Sequence, residues 1–397
     1  MIPVDEHLSR VLAAALPLPP QRVPLADALG LLLAEDVHHR RPVPSFDNSA
    51  MDGYAVRRQD AVDGSRLRVV ADLPAGTAQN PRMGPGEAVR IMTGAPVPDD
   101  ADAVVPLEHT EEGLIVSPLP PATVTVLRQP APGAHIRRTG EHAPAGGLAV
   151  GKGTRLGPWQ LSAVASAGYA TVRVTPRPRV AVISTGSELI HPDETPARGQ
   201  IPESNSVLLS GAVRQTGAIL AGVAVVPDDE DALRKTIDSF QADVLVLSGG
   251  ASVGSFDVVK AVLDGAGSIR FDALALKPGK PHGFGTLNGR LVFCLPGNPL
   301  SAAAGFELFV RPALLSLAGE TVLDGNRVRA TVTSGWHSPA HKTQLVPGVL
   351  NGTEITPLRR RHGGPADEGA SMNAFILIPA ETHDVLPGAS VSVLVIP

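Results

Sequence analysis

The stretch Asp243-Val-Leu-Val-Leu-Ser-Gly-Gly-Ala-Ser-Val-Gly254 decides the fold class of this chain. Its four consecutive apolar residues, 244–247, are typical of a strand buried on both faces, and the run ends in a loop of small residues. The same pattern recurs at 179–183 and at 291–295. Helices are predicted between and after these strands, at 204–217, 231–240, 256–263 and 301–317. This alternation predicts a mostly parallel sheet covered on both faces, hence a three-layer α/β domain over residues 177–320.

The residues outside this α/β region have a different pattern. Residues 45–140 are predicted to form an inserted β-rich module, because glycine- and proline-rich turns separate short β-like runs at 67–70, 88–92, 103–106 and 123–127. The tail, 321–397, is predicted to form a small β-barrel-like domain from similar runs at 328–333, 344–349, 374–378 and 391–396. Residues 1–44 and 141–176 are assigned to a linking domain. The predicted fold class is therefore multidomain, α/β plus β.

Composition limits the class of protein and its partners. Hydrophobic residues make up 43% of the 397 residues and charged residues 18%, which is typical of a globular protein. The single cysteine, Cys294, excludes an internal disulfide framework and indicates a reducing compartment. The net charge of −5 argues against nucleic-acid binding, and the sequence has neither a signal peptide nor a long apolar run. We therefore expect a cytoplasmic protein without nucleic-acid or membrane partners.

Three of the predicted strands end in loops of small and hydroxyl-bearing residues. Ligands of open parallel sheets bind at the carboxyl ends of the strands, where glycine lets backbone N–H groups approach an anion closely. One such loop alone would be an ordinary turn, but three in one domain favour a phosphate-bearing ligand. The candidate substrate-binding residues in these loops are Ser184, Thr185, Gly186, Ser248, Gly249, Gly250, Ser252, Pro296, Gly297, Asn298 and Pro299.

The segment Lys277-Pro278-Gly279-Lys280-Pro281 is the sharpest local signal for anion binding. Its prolines and glycine fix the backbone, so Lys277 and Lys280 are displayed from a stiff loop and are predicted to bind phosphate or an oxyanion. The sequence lacks the G-x-x-x-x-G-K-[ST] and G-x-G-x-x-G patterns, which excludes the common P-loop and dinucleotide fingerprints.

Several acidic residues are candidates for metal binding, each with a simpler alternative. The segment 46–55 contains Asp47, Asn48 and Asp52, which either bind Mg²⁺ or form an Asx turn. Asp228 follows a predicted strand and precedes a helix, so helix capping is the alternative to a metal role there. Glu188 and Asp257 lie close to the glycine loops in sequence and are candidates to bind a metal or orient a water molecule.

Seven segments together resemble the molybdopterin molybdenumtransferase family, called MoeA in bacteria and the gephyrin E domain in animals. In family order they are FDNSAMDGYA (46–55), MTGAPVP (92–98), RRTGE (137–141), STGSEL (184–189), SGGASVG (248–254), KPGKP (277–281) and LPGNPLSA (295–302). The resemblance implies four subdomains, with residues 1–44 and 141–176 serving linkage and dimerisation, in an elongated homodimer. The active site would be a cleft between the α/β domain of one subunit and the inserted module of the other.

The resemblance also implies an activity and roles for individual residues. The enzyme would insert molybdate into adenylyl-molybdopterin with Mg²⁺-dependent release of AMP, and the upstream molybdopterin adenylyltransferase is a candidate protein partner. The implied catalytic residues are Asp52, Glu188, Asp228 and Asp257, of which Asp52, Asp228 and Asp257 would hold Mg²⁺. The implied cleft residues are Thr93, Lys277, Lys280, Pro296 and Pro299, and Ser371 would lie near the oxyanion.

Three departures from the family pattern leave alternatives open. His142 stands where the family usually has Asp, Ala273 stands where a lysine is frequent, and the usual Arg-x-Glu-Phe-x-Arg pattern is replaced at 342–347. Two alternatives are a molybdopterin adenylyltransferase and a non-catalytic scaffold that binds the cofactor. The inserted module and the C-terminal β domain favour the molybdenum-inserting enzyme.

Overall fold

The computed structural model describes residues 1–113, 118–249, 258–323, 326–339, 341–358 and 371–396. The chain divides into two compact units. One unit contains Met1–Gln21 and Arg173–Pro397, and the other contains Arg22–Val172. The finer division into four domains stays a prediction. Gly250, Ser252 and Asp257 lie outside the described residues.

The α-helices of the described residues are α1 (Val4–Ala14), α2 (Pro158–Ser166), α3 (Asn205–Gln215), α4 (Glu230–Ser239), α5 (Val258–Leu263), α6 (Pro299–Gly305) and α7 (Arg311–Leu317). A π-helical turn, Phe306–Val310, joins α6 to α7. Single 3-10 turns occupy Leu25–Asp27, Arg58–Asp60 and Leu107–His109.

The described residues contain 28 strands, numbered in chain order. The first twelve are β1 (Gln21–Pro24), β2 (Leu32–Leu33), β3 (Val37–His38), β4 (Asn48–Ser49), β5 (Gly53–Val56), β6 (Arg66–Leu73), β7 (Glu87–Ile91), β8 (Ala103–Pro106), β9 (Thr123–Thr125), β10 (Ile136–Arg137), β11 (Leu148–Val150) and β12 (Thr171–Thr175). The others are β13 (Arg179–Thr185), β14 (Leu189–Ile190), β15 (Ile201–Pro202), β16 (Ile219–Val226), β17 (Val244–Ser248), β18 (Arg270–Ala273), β19 (Leu276–Lys277), β20 (Pro281–Leu287), β21 (Arg290–Leu295), β22 (Asn326–Val332), β23 (Trp336–His337), β24 (Thr343–Asn351), β25 (Glu354–Pro357), β26 (Ala374–Ile378), β27 (Asp384–Val385) and β28 (Ser390–Val395).

A six-stranded sheet of order β16-β13-β17-β21-β20-β18 organises the larger unit. The first four strands are parallel, as the sequence predicts, whereas β20 runs antiparallel to β21 and β18 runs antiparallel to β20. Successive residues of the central strands alternate between two hydrophobic clusters. Val182 and Val246 pack in a cluster with residues of α1, α3, α6 and α7, and Ile183 and Leu247 pack in one with residues of α4 and α5. Apolar residues on both strand faces are buried, which explains why these strands read as unbroken apolar runs.

The tail of the larger unit is a closed barrel. Strands pair in the order β24-β25-β22-β28-β26, and β26 pairs again with β24, so five strands form a ring. The prediction of a small β-barrel near the C-terminal end is confirmed. The short strand β19, which carries Lys277, pairs in parallel with β24, so the start of the lysine loop is fixed to this barrel.

The smaller unit is built on a five-stranded sheet of order β8-β5-β7-β6-β9. The segment 46–55, which the sequence left open between a metal loop and an Asx turn, forms β4, a short turn and the start of β5. Gly53 has to be glycine, because a Cβ atom there would lie 2.1 Å from the carbonyl oxygen of Val105 on β8. The turn that carries Asp52 is therefore held directly against the sheet.

One helical stretch of the described residues, Pro299–Leu317, is long and apolar enough by composition to cross a membrane. Its most apolar window is 78% buried inside the protein, and its residues belong to the main hydrophobic cluster. The sequence predicts a single helix over 301–317, but the structure interrupts it with the π-helical turn. Pro312 lies in the first turn of α7 and has no N–H to donate, which locally interrupts the regular α-helical bonding.

Candidate active site

The ends of three neighbouring strands, β13, β17 and β21, meet at one edge of the six-stranded sheet. A Cβ atom on Gly249 would lie 2.3 Å from the carbonyl oxygen of Thr185, and one on Gly297 would lie 3.5 Å from Cα of Gly249. Gly249 also has φ +94°, a conformation that residues with a side chain rarely adopt. The three loops predicted from the sequence are therefore packed against one another, and Gly249 cannot be replaced without moving them.

Two of the glycine amides at this edge are already used by the sheet. The N–H of Gly186 donates to the carbonyl of Val226 at 3.1 Å, and the N–H of Gly249 donates to the carbonyl of Leu295 at 3.2 Å. In the loop after β21, Asn298 caps α6 by accepting from the N–H groups of Leu300 and Ser301, at 3.1 and 3.3 Å. The N–H of Asn298 itself donates no hydrogen bond within the described part of the chain. This amide is therefore available to meet an anion.

Glu188 and Asp228 are brought together around the loop that follows β13. Asp228 Oδ2 accepts a hydrogen bond from the N–H of Ser187 at 3.1 Å, and the N–H of Asp228 donates to Ser187 Oγ at 3.0 Å. The carboxylate of Glu188 lies 2.6 Å from the position that a Cβ atom on Gly186 would occupy. Helix capping falls instead to Asp229, which accepts from the N–H of Ala232 at 2.7 Å. Asp228 is thus left at the strand edge with Glu188.

The hydroxyl groups of Ser184 and Ser248 are buried, with each residue only 1% exposed. Ser184 donates to the buried carboxylate of Glu203 at 2.8 Å, and Ser248 accepts from Nδ2 of Asn205 at 2.6 Å. No sequence motif singled out Glu203, and Asn205 was predicted only as part of the helix at 204–217. In the structure Ser204 occupies the cap position without a side-chain hydrogen bond. Four successive polar residues at the start of this helix, 203–206, were the only signal, and such a stretch is usually solvated.

Lys277 and Lys280 are both exposed on a closed loop. The N–H of Leu274 donates to the carbonyl of Lys280 at 2.7 Å. A Cβ atom on Gly279 would lie 3.5 Å from the carbonyl oxygen of Ser301. Because β20 runs antiparallel to β21, its first residues lie beside the last residues of β21. Lys280 therefore stands at the same edge as the strand-end loops. Neither lysine forms an ion pair with any residue that the structure describes.

In the smaller unit, the structure brings Asp52 and Thr93 together. Asp52 Oδ1 accepts hydrogen bonds from the N–H of Thr93 at 2.6 Å and from its hydroxyl at 2.8 Å. The two motifs that carry these residues are also joined through their backbones, since Gly94 donates to the carbonyl of Ser49 at 2.8 Å. The segment 92–96 is thus more than a plain turn, because the loop of Asp52 lies against it.

The RRTGE segment packs against the other end of the 46–55 motif. Asp47 accepts hydrogen bonds from the N–H and the hydroxyl of Thr139, at 2.7 and 2.8 Å, and from Arg138 at 2.7 Å. The Thr139 N–H and the Arg138 guanidinium hold the pKa of the Asp47 carboxyl below its ordinary value. His142, one of the departures from the family pattern, lies exposed 3.4 Å from the carboxylate of Glu141.

The remaining positions named from the sequence differ in exposure: Ser371, Ala273 and Pro299 are exposed, and Pro296 is buried. Ser371 is exposed and is followed by Met372, which packs against the main hydrophobic cluster. Ala273 ends β18, and its carbonyl accepts a hydrogen bond from Ile2 at 2.8 Å. Pro296 is buried, whereas Pro299 is exposed in the first turn of α6.

The carboxylates at this edge suit a Mg²⁺ ion that takes its remaining ligands from substrate phosphates. Among the described residues, no three His, Cys, Asp or Glu side chains are clustered closely enough to hold a metal alone. Mg²⁺ characteristically binds one or two carboxylates and takes its other ligands from phosphates and water. The exposed carboxylate of Asp228 matches that requirement.

Two family models match this chain. One, described as the MoeA N-terminal region (domain I and II), covers residues 2–168, and one described as a probable molybdopterin binding domain covers residues 181–316. The fold and the site thus define a protein in which a molybdopterin-binding type of α/β domain is joined to the N-terminal region of MoeA.

Relatives and solved structures match over nearly the whole chain. Molybdopterin molybdenumtransferase 2 of Mycobacterium tuberculosis is 38% identical, with 98% of both chains covered. Molybdopterin molybdenumtransferase of Bacillus subtilis is 33% identical, with 100% of this chain and 94% of that protein covered. A solved structure of the molybdopterin biosynthesis MoeA protein of Pyrococcus horikoshii has a TM-score of 0.82 and 31% identity, and covers 100% of this chain and 99% of its own. The chain belongs to the MoeA family of molybdopterin molybdenumtransferases, which confirms the resemblance.

Proposed function

We propose that this enzyme inserts molybdate into adenylylated molybdopterin, with release of AMP. One observation carries the proposal: the carboxyl ends of β13, β17 and β21 and the lysine loop occupy the same edge of the sheet. That edge presents two exposed lysines that form no ion pair with a described residue, beside the carboxylates of Glu188 and Asp228. It also presents the N–H of Asn298, which has no acceptor among those residues. Cationic and amide donors next to carboxylates suit a phosphoanhydride that is bound together with a divalent cation.

The cationic and the acidic residues of this edge have different roles. Lys277 and Lys280 bind phosphate oxygens, and the N–H of Asn298 adds a fixed donor at the start of α6. Glu188 orients the water that cleaves the phosphoanhydride, so that AMP leaves with one phosphate and molybdopterin keeps the other. Mg²⁺ would be held by Asp228 with Asp257 and with Asp52 of the partner subunit, and would neutralise phosphate charge and polarise the anhydride. Positioning and charge stabilisation therefore dominate the chemistry.

The finer assignments of the resemblance are part of the same proposal. The enzyme acts as a homodimer in which Asp52 and Thr93 of one subunit serve the other, and Ser371 contributes to the oxyanion site. It works in the cytoplasm, with the upstream adenylyltransferase as the protein that delivers its substrate. Cys294, the single cysteine of the sequence, is buried, which is consistent with a reducing compartment.

A product assay tests the reaction directly. Purified enzyme is given adenylylated molybdopterin, Mg²⁺ and molybdate, and AMP is measured together with the reconstitution of a cofactor-free molybdenum enzyme. We expect AMP and active cofactor in equal amounts, and no AMP when Mg²⁺ is chelated. Formation of adenylylated molybdopterin from ATP would support the adenylyltransferase instead, and tight binding without any AMP would support the scaffold.

A mixing experiment tests the shared site. Asp52→Asn and Lys277→Ala variants carrying different tags are co-expressed, and the mixed dimer is isolated through both tags. If Asp52 of one subunit serves Lys277 of the other, one of the two sites in the mixed dimer is intact and AMP release returns. If both residues serve a site within one subunit, each site carries one substitution and the mixed dimer stays inactive.

A further inference from the structure

A cluster of buried polar residues lies at the start of α3, and no sequence motif predicted a role for it. Glu203 is 5% exposed, and its Oε1 accepts hydrogen bonds from Ser184 Oγ at 2.8 Å and from the N–H of Ser206 at 2.7 Å. Its Oε2 accepts from the hydroxyl of Ser206. A carboxylate this deeply buried needs such donors, because an unpaired buried charge is strongly unfavourable. Glu203 therefore fixes the end of β13, where Ser184 stands, to the first turn of α3.

Asn205 makes the corresponding connection to the other two strands. Its Nδ2 donates to Ser248 Oγ, at the end of β17, at 2.6 Å, and to the carbonyl oxygen of Gly297, just after β21, at 2.7 Å. A carbonyl oxygen can only accept, so the amide group of Asn205 must point its NH₂ at Gly297. Two residues at the start of α3, Glu203 just before it and Asn205 in its first turn, thus hold the ends of three adjacent strands.

The bond to the Gly297 carbonyl has a geometric consequence for the N–H at the other end of the same peptide group. In a trans peptide the carbonyl and the following N–H point in opposite directions, and the bond between Gly297 and Asn298 is trans. Asn205 holds the Gly297 carbonyl inward, so the N–H of Asn298 is directed away from Asn205. That N–H has no acceptor within the residues described by the structure. It can therefore serve a ligand from outside.

We propose that Asn205 and Glu203 are positioning residues of the phosphate-binding edge, and that the ligand group they prepare for is the phosphoanhydride of the substrate. Asn205 turns the Asn298 N–H toward a phosphate oxygen, and Glu203 keeps the neighbouring strand end in register. Neither residue touches the substrate. The inference rests on the proposed function for the identity of the substrate, but the anion-binding part can be measured without turnover.

The main test removes the donor group of Asn205. Asn205→Ala should raise the Kd for inorganic pyrophosphate, measured by calorimetry, by about 10- to 100-fold, the range expected for loss of one hydrogen bond to a charged group. In AMP release, KM should rise by a similar factor while kcat changes much less. Asn205→Asp has nearly the same volume and cannot donate, so it gives the same answer if the alanine variant folds poorly.

Substitutions of Glu203 test its positioning role, and a substitution of Ser206 is the matched control. Glu203→Gln keeps an oxygen for Ser184 and for the Ser206 N–H, so its Kd for pyrophosphate should stay near that of the wild type, whereas Glu203→Ala should raise it. Ser206→Ala removes a hydroxyl from the same carboxylate without releasing any strand end. This control should lower the melting temperature without changing the Kd.

The outcomes separate this inference from the proposed function. Wild-type enzyme that binds pyrophosphate but releases no AMP overturns the proposed reaction and leaves the pyrophosphate series to decide the roles of Asn205 and Glu203. Wild-type enzyme that binds no pyrophosphate overturns the inference. A Kd within about twofold of wild type for both Asn205 variants also overturns the inference. So does a loss of affinity in Ser206→Ala as large as in the Asn205 variants, because either result would show that these residues only stabilise the fold.

Discussion

Thr93 donates two hydrogen bonds to a single oxygen of Asp52, one from its N–H at 2.6 Å and one from its hydroxyl at 2.8 Å. The other carboxylate oxygen, Oδ2, accepts no hydrogen bond from the residues that the structure describes. Asp52 is therefore fixed in direction and still has one oxygen free to bind.

The first prediction concerns the charge of Asp52. Asp52→Asn keeps the size of the side chain and an oxygen for both donors of Thr93, so the turn should stay folded and the melting temperature should stay near that of the wild type. AMP release should fall by at least about 100-fold, the lower end of what a preorganised charged or polar group contributes to catalysis. The rate of AMP release and thermal unfolding are measured side by side.

Two further variants show whether the effect is specific. Thr93→Val removes one of the two donors and should reduce AMP release less than Asp52→Asn does. Asp102 is another exposed aspartate of the same unit, and it also accepts a backbone N–H, that of Arg58, at 2.6 Å. Asp102→Asn should leave AMP release unchanged, and a rate near wild type in Asp52→Asn would remove Asp52 from the mechanism.

The second prediction concerns the lysine loop. Lys280→Ala should raise the Kd for pyrophosphate by about tenfold or more, because a charge-assisted hydrogen bond is lost. The remaining affinity should also depend less steeply on salt, since one cation–phosphate attraction has been removed. Calorimetric titrations at two ionic strengths measure both effects.

Lys235 supplies the matched control for the loop. It is an exposed lysine of the same unit that lies on α4. Lys235→Ala should change neither the affinity for pyrophosphate nor its salt dependence. An equal loss in Lys235→Ala and Lys280→Ala would show that only the overall charge of the protein matters, and would contradict a phosphate contact at Lys280.

Much of the fold follows from local sequence patterns. The strand predicted at 103–106 is β8 with the same bounds, and 374–378 is β26 with the same bounds. These runs combine apolar residues with flanking turn residues, which is the strongest signal for a strand. The strand-end loops could also be predicted, because parallel strands put their carboxyl ends at a common edge and glycine marks each loop.

Other features depend on contacts that no local pattern contains. Of the hairpin of β20 and β21, only β21 was predicted. Gly283 and Gly285 interrupt the apolar pattern of β20, at points where other atoms approach too closely for a side chain. Glu203 could not be recognised as buried, since its partner Ser184 is 19 positions away in the chain. A lone glutamate in a polar stretch is normally solvated, and only the tertiary structure makes it interior.

The third prediction concerns stability, at the π-helical turn between α6 and α7. Glu307 and Arg311 form two hydrogen bonds of 2.6 and 2.8 Å, and both residues are 6% exposed. Glu307→Ala leaves the Arg311 charge buried without this carboxylate and should lower the free energy of unfolding by about 3–5 kcal/mol. Urea denaturation followed by circular dichroism measures the change.

A double variant and an exposed pair test the cause. Glu307→Leu combined with Arg311→Met replaces both charges by apolar groups and should be clearly more stable than Glu307→Ala, because no buried charge is left unpaired. Arg234 and Glu230 form a pair with the same spacing on the exposed face of α4. Glu230→Ala should leave the unfolding midpoint nearly unchanged, and a double variant no more stable than Glu307→Ala would contradict the explanation.

The fourth prediction follows from two buried histidines, His7 on α1 and His282 on β20, whose ring centroids lie 6.2 Å apart. Burial lowers the pKa of His7 to about 4, against a smaller opposing effect of Asp272, and Arg10 lowers it further. Burial lowers the pKa of His282 to about 3, and the neighbouring His7 adds to this. In the folded protein both rings are therefore neutral at mildly acidic pH.

The sign of the pH dependence follows from proton uptake. An unfolded histidine has a pKa of about 6.5, so below that pH the unfolded chain binds protons that the folded chain does not. Stability from these two residues is complete above about pH 6.5 and is lost as the pH falls toward the folded pKa values. Well below pH 6.5, each residue should cost about 1.4 kcal/mol per pH unit.

Urea denaturation between pH 7 and 5 measures this slope in wild type and in variants that cannot titrate. His282→Phe places an apolar ring beside Phe309, 5.4 Å from the present imidazole, and should reduce the slope by about one proton. His7→Phe should do the same, and the double variant should lose about two. His337 is exposed beside Asp384, so His337→Gln serves as the control and should leave the acid slope close to wild type. If the double variant instead loses stability with acid as steeply as the wild type does, the buried histidines are not the groups that take up the protons.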